Sequence, residues 1–182
     1  VVPVLRAFAQ QYPHVKITVL TRAFFKPFFR DLPQVSVFPA EVRGKHKGIF
    51  GLFKLSKELK NLEIDAVADL HNVLRTNVLK YFFFGKPFLQ IDKGRREKKA
   101  LVSGEIFQQL KTTHQRYADV FDNLGFKIDV SKPVFPKPRP LNNTLLDIIK
   151  KDAQKCIGIA PFAAHESKMY PLDLMEQVIK TL

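Results

Sequence analysis

The chain has 182 residues, 46% of them hydrophobic, with 17 Phe; that is apolar surface enough for a buried core and excludes a disordered chain. A formal charge of +13 predicts attraction to polyanions, whether nucleic acid, anionic lipid or phosphorylated substrates. The one cysteine, Cys156, excludes an internal disulfide and a cysteine-based zinc site and fits a reducing compartment, while no apolar run reaches the ~18 residues of a membrane span.

Helical periodicity begins at once, with Val1, Val4, Leu5 and Phe8 on one face of a helix over 1–11. No capping residue precedes Val1, so the chain is expected to be cut inside or just before its first helix. Val15–Thr21 reads as a strand, Phe24–Arg30 as a short helix disturbed by Pro27, and Val35–Phe38 as a second strand. Gly48–Leu62 is expected to be helical, with Ile49, Leu52, Phe53 and Leu59 on its apolar face. Ala66–Leu70 is a third strand, Val73–Phe84 a helix, and Phe88–Ile91 a fourth strand. Thr112–Leu124 is a helix with His114, Tyr117, Phe121 and Leu124 on one face, ended by Gly125 as a C′ glycine.

Short apolar strands alternating with helices predict an α/β fold: a Rossmann-like parallel sheet with helices on both faces. Such a sheet binds ligands at the carboxyl ends of its strands. Four prolines between Lys132 and Pro140 exclude helix and central strand there, and make 131–143 an extended linker. The expected domains are therefore 1–130, with its first strand missing, and 144–182, the start of a second Rossmann-like domain. In the latter, Asn143 or Thr144 is expected to cap a helix over 145–151. Leu182 would then stop a helix whose sheet partners lie beyond it.

Three stretches carry possible chemistry. In the first, Ile157–Ala160 reads as a strand, Pro161–Tyr170 as a loop, and Pro171 opens a helix with Leu172, Met175, Ile179 and Leu182 on one face. A strand, a loop and a helix N-terminus with Lys168 just ahead of it make an anion site; a surface lysine on an ordinary loop is the plain alternative. In the second, Asp69 ends a strand, and His71, Asn72 and Arg75 follow at its C-terminal edge. Asn72 and Arg75 then face the ligand cleft, unless Asp69 only caps the next helix and Arg75 only pairs on its surface. The third comprises two basic loops after strands, one with Arg43, Lys45 and Lys47, the other with Lys93, Arg95, Arg96, Lys98 and Lys99. Together they form an anion funnel, or else two solvated charge runs. Walker, dinucleotide-fingerprint, His-Glu-X-X-His and nucleophile-elbow patterns do not occur, and five scattered His give no metal spacing.

The run Ile157-Gly158-Ile159-Ala160-Pro161-Phe162-Ala163-Ala164, with Lys168-Met169-Tyr170-Pro171 three residues on, resembles the donor-site motif of the family 9 glycosyltransferases, the ADP-heptose:lipopolysaccharide heptosyltransferases and their relatives. Phe162 stands where that family usually has Gly, and Tyr170 where it has Trp. The stretch Asp69-Leu70-His71 to Leu74-Arg75-Thr76 is similar to the family's acceptor-domain segment, and Gln115 and Arg116 to a further one. The resemblance implies a GT-B arrangement of two Rossmann-like domains. It implies inverting, metal-independent transfer of a heptose or similar sugar from an ADP-sugar to a lipopolysaccharide core acceptor. Ala163, Ala164 and Lys168 would bind the donor. Arg43, Lys45, Lys47, Asn72, Arg75, Arg95 and Arg96 would bind the lipid-linked, phosphorylated acceptor at the inner membrane surface. No cofactor or metal is implied, nor a nucleic-acid partner. The implied location is the cytoplasm of a bacterium, with peripheral contact at the inner membrane. The family's catalytic Asp would lie before Val1, so this stretch alone is expected to be inactive. The competing reading is a basic α/β binding module for nucleic acid or anionic lipid, supported by the charge alone.

Overall fold

The computed structural model describes residues 1–135, 140–149 and 157–182. The centre of the expected linker (136–139), the end of the expected helix (150–151) and Cys156 lie outside the described residues. The chain divides into two compact units, Val1–Pro136 and Lys137–Leu182.

The first unit is α/β. Helix α1 (Val2–Gln11) leads to strand β1 (Ile17–Thr21), a 3₁₀ segment (Ala23–Phe29) and strand β2 (Val35–Pro39). Helix α2 (Gly48–Lys60), strand β3 (Val67–Asp69), helix α3 (Leu74–Phe82) and strand β4 (Phe88–Gln90) follow, then helices α4 (Arg95–Val102) and α5 (Thr113–Asn123). All observed pairing is parallel, β1 with β2 from Ile17↔Val35 to Thr21↔Pro39, and β3 with β4 from Val67↔Phe88 to Asp69↔Gln90.

Two apolar clusters sandwich the strands. On one side Val4, Leu5 and Phe8 of α1 meet Ala118 and Phe121 of α5, with Ile17, Val19, Val35, Val37 and Ala68 packed against them. On the other, Leu52, Leu55 and Leu59 of α2 meet Leu79 and Phe83, over Phe38, Val67 and Phe88. Neighbours in sequence, Val37 and Phe38 or Val67 and Ala68, thus go to opposite clusters, as the two-residue period of a strand requires. Each buried Leu or Phe contributes about 1.5–3 kcal/mol.

The expected single sheet is instead two pairs. β1 bonds to β2 at one edge (Ile17 N–H to Gln34 O, 3.0 Å; Ala40 N–H to Thr21 O, 2.7 Å), and β3 to β4 likewise (Val67 N–H to Pro87 O, 2.8 Å; Ile91 N–H to Asp69 O, 2.9 Å). Among the described residues no ladder joins the two pairs, although one core cluster spans both.

Helix faces are rotated from expectation in two places. In α2 the buried stripe is Gly51, Leu52, Leu55, Ser56 and Leu59; Ile49 and Phe53 are exposed. A Cβ at Gly51 would collide with the His46 backbone, so the helix seats on its glycine side, and Phe53 lies against Phe82 with Lys57 over its ring. In α5, His114 is exposed and the buried residues are Arg116, Ala118, Val120 and Phe121. Helix α4 occupies part of the expected second basic loop. Gly94, at φ +61°, begins it, Glu97 in its first turn favours the dipole, and it buries no residue, so it carries no apolar period to read.

The second unit contains helix α6 (Asn143–Ile149), a 3₁₀ turn (Glu166–Lys168) and helix α7 (Leu172–Thr181). Asn142, rather than Asn143 or Thr144, caps α6, its Oδ1 accepting the Leu145 N–H at 2.9 Å. Ile157–Ala160, read as a strand, has no pairing among the described residues and is exposed; an extended apolar run needs a neighbouring strand to become sheet.

Candidate functional site

The carboxyl ends of β3 and β4 carry a polar cluster organised by Asp69, which is only 6% exposed. Its Oδ1 accepts the backbone N–H groups of His71 and Asn72, both at 2.9 Å, which folds the chain into a tight turn ahead of α3. Its Oδ2 accepts from Gln90 Nε2 at 2.9 Å, across the strand pair. Burial alone would raise the Asp69 pKa. Hydrogen bonds from Gln90, the Asn72 N–H, Thr76 and the His71 N–H outweigh it and hold the carboxyl below the ordinary aspartate range. Asp69 is therefore an ionised strut.

The turn puts Asn72 at φ +44°, in the left-handed region that asparagine tolerates better than most residues. Its Nδ2 donates to Ile91 O at 3.0 Å, and its own carbonyl accepts from Lys93 Nζ at 2.9 Å. Gln90 Nε2 has two protons and three acceptors near it: Asn77 Oδ1 at 2.6 Å, Asp69 Oδ2 at 2.9 Å and Asn72 Oδ1 at 3.4 Å. The two short bonds use both protons, leaving Asn72 Oδ1 only a weak contact and an acceptor for something else.

Two open grooves share this cluster. One, of about 530 Å³, is lined by Asn72, Asn77, Asp92, Lys93, Arg95 and Arg96 with apolar neighbours. The other, of about 610 Å³, is lined by Asn72, Asn77, Lys80, Tyr81, Lys86 and Gln90 together with Phe83, Phe84 and Phe88. Carboxamides beside exposed guanidinium groups suit a ligand bearing both hydroxyls and negative charge.

Arg116 holds the first groove's basic wall from beneath. It is 5% exposed, and its Nη2–H donates to Glu97 Oε2 at 2.6 Å. Its Nε–H donates to Lys111 O at 3.3 Å, and Nη1 lies 3.9 Å from Asp92 Oδ2. The guanidinium packs under Gly94, whose N–H is held by Asp92 Oδ1 at 2.8 Å. The chain 92–97 is thus fixed at both ends, with Arg95 and Arg96 pointing to solvent and without ion pairs among the described residues.

Of the sequence-derived acceptor residues, Asn72, Arg95 and Arg96 line one groove. Arg75, exposed on α3, is in neither. Arg43, Lys45 and Lys47 sit on the loop after β2. There Lys45 is tied to Glu58 at 3.3 Å and to Glu41 at 3.7 Å, while Arg43 and Lys47 are exposed. His46, fully buried, staples that loop. Its Nδ1 accepts the Glu41 N–H at 3.0 Å, so its Nε2 carries the proton and donates to Glu58 Oε2 at 3.2 Å. Ala163, Ala164 and Lys168 are exposed in the second unit. The Lys168 and Met169 amides bond to His165 O at 3.0 Å and Glu166 O at 2.9 Å, closing the 3₁₀ turn, so these two amides are taken up within the loop. Asn77, Gln90 and the supporting role of Arg116 escaped the sequence reading; a lone polar residue closing the apolar strand Phe88–Gln90 was the available signal.

Among the described residues no group of three His, Cys, Asp or Glu side chains is placed to hold a metal, and no helix is long and apolar enough to cross a membrane. Comparison with family models, curated proteins and solved structures gives no match.

Proposed function

We propose that the chain is the acceptor-side domain and the opening of the donor domain of a glycosyltransferase. The enzyme moves a heptose or similar sugar from an ADP-sugar to an anionic, lipid-linked acceptor of the lipopolysaccharide core, with inversion and without a metal. The observation that supports this best is the groove at the ends of β3 and β4. Asn72 and Asn77 offer amide donors and acceptors to sugar hydroxyls, and Arg95 and Arg96 offer guanidinium forks to a carboxylate or phosphate. On the donor side, the amides of Ala163 and Ala164 and the ammonium of Lys168 face a diphosphate. They stabilise it as charge builds on the leaving nucleotide.

Thermal-shift titration of the 182-residue chain with ADP-heptose, UDP-glucose and GDP-mannose tests the donor half. The reading expects a shift with the ADP-sugar, lost in Lys168→Ala. Equal shifts with all three, or a shift unchanged in Lys168→Ala, would remove the donor assignment.

A further inference from the structure

The 3₁₀ segment Ala23–Phe29 sorts its four phenylalanines by face. Phe29 is buried and Phe25 packs into the core with it, while Phe24 and Phe28 are 78% and 63% exposed. Phe25 meets the rings of both Phe24 (5.3 Å) and Phe28 (6.2 Å), so the outward pair rests on an anchored ring. Pro27 stiffens the turn between them. The inward side is already filled, so the outward rings have no core position to move into.

The charge around these rings is one-sided. Arg22, Lys26 and Arg30 alternate with the phenylalanines along the chain, and Asp31 follows as the one acidic residue of the stretch 22–31. Arg22 stacks over Phe25 at 4.9 Å and keeps its charge beside the rings. The adjoining strand end repeats the pattern. Thr21 pairs with Pro39, and in the chain leaving β2 Glu41 is taken up by Lys45, while Arg43 and Lys47 stay exposed, followed by Ile49 and Phe50, 68% and 91% exposed.

Single exposed apolar residues need no explanation. Two exposed rings on a braced segment, interspersed along the chain with cations, have the composition of an interfacial anchor. The rings enter the acyl boundary while ammonium and guanidinium groups stay among anionic headgroups. We propose that residues 22–30, with the chain that leaves β2, form a docking surface for an anionic lipid bilayer. This surface does not depend on the groove at β3 and β4 or on the transferase reading.

The test is sedimentation of the 182-residue chain with vesicles of phosphatidylcholine, with and without one-third phosphatidylglycerol, at near-physiological salt. Binding is expected to the anionic vesicles and to be at least about tenfold weaker on the neutral ones. Phe24→Ser with Phe28→Ser lowers the partition coefficient at least about tenfold, since two rings leave the acyl boundary. Lys26→Glu lowers it on anionic vesicles by about tenfold; Lys60→Glu, at the far end of α2, changes it less than about twofold. Circular dichroism accompanies each variant, and if the double variant fails to fold, the Lys26 and Lys60 pair decides. Unchanged binding by the folded double variant, or equal losses from Lys26→Glu and Lys60→Glu, would overturn the proposal. So would retention of single-stranded RNA by a chain that ignores the vesicles.

Discussion

Gly94→Ala tests whether the basic wall of the groove is built on Arg116. Gly94 has φ +61°, a region that costs an L-residue about 1–2 kcal/mol. A Cβ there would also lie 2.6 Å from Arg116 Nη1 and closer still to Nη2, so the guanidinium must move. Moving it breaks the 2.6 Å charge-assisted bond to Glu97, about 1.5–3 kcal/mol. Glu97 is 45% exposed and regains water, which places that loss at the lower end of the range. The total is about 3 kcal/mol. Urea unfolding followed by far-ultraviolet circular dichroism measures it. Arg116→Met supplies the second arm of a double-mutant cycle, since its side chain yields to the new methyl. In that background Gly94→Ala should cost only the backbone part, about 1–2 kcal/mol. A cost below about 0.5 kcal/mol for Gly94→Ala alone, or strict additivity in the cycle, would mean that Gly94 and Arg116 do not press on one another.

Asp69 gives a pH prediction. Its folded pKa lies below the ordinary value, so its stabilising contribution is complete above pH ~3.9 and drains away as pH falls through the depressed folded value. Asp69→Asn should flatten stability against pH in that acid window and cost about 1–3 kcal/mol at pH 7, because an amide nitrogen then faces Gln90 Nε2. An acid limb identical to the parent's would contradict the strut. Thr112 caps α5 in a reciprocal box, accepting the Gln115 N–H at 3.2 Å while Gln115 Oε1 accepts the Thr112 N–H at 2.8 Å. Thr112→Ala should cost about 1 kcal/mol by urea unfolding, and no loss would mean the cap is idle.

What could be read from the sequence depended on whether a residue's neighbours in space were also its neighbours in a periodic pattern. Val4, Leu5 and Phe8 announced α1, and Val35 and Val37 announced β2, because each buries one regular stripe. The face of α2 misled because Phe53 outweighs Leu55 as a hydrophobe. What decides the face is the absence of a side chain at Gly51, where His46 presses in. Helix α4 left no apolar signal, since its start is set by a left-handed glycine and by Arg116 of another helix, which bonds to Glu97 in its first turn. Division of the strands into two pairs depends on which edges meet, and strand composition does not encode that. At the site, Asp69, Asn72, Arg95 and Arg96 stood out as polar groups after strands. Gln90 and Asn77 gain meaning only because β4 lies beside β3, which brings an amide twenty-one residues away to within 2.9 Å of Asp69.

If the proposed function holds, the groove at the ends of β3 and β4 takes a negatively charged sugar. A ¹H–¹⁵N titration of the labelled 182-residue chain with 3-deoxy-octulosonate, and with glucose in parallel, tests it most directly. Saturable shifts are expected at Asn72, Asn77 and Lys93 through Arg96 with the acidic sugar, much weaker ones with glucose, and their loss in Arg95→Ala with Arg96→Ala. Equal responses to both sugars, or shifts that leave those residues untouched, would contradict it.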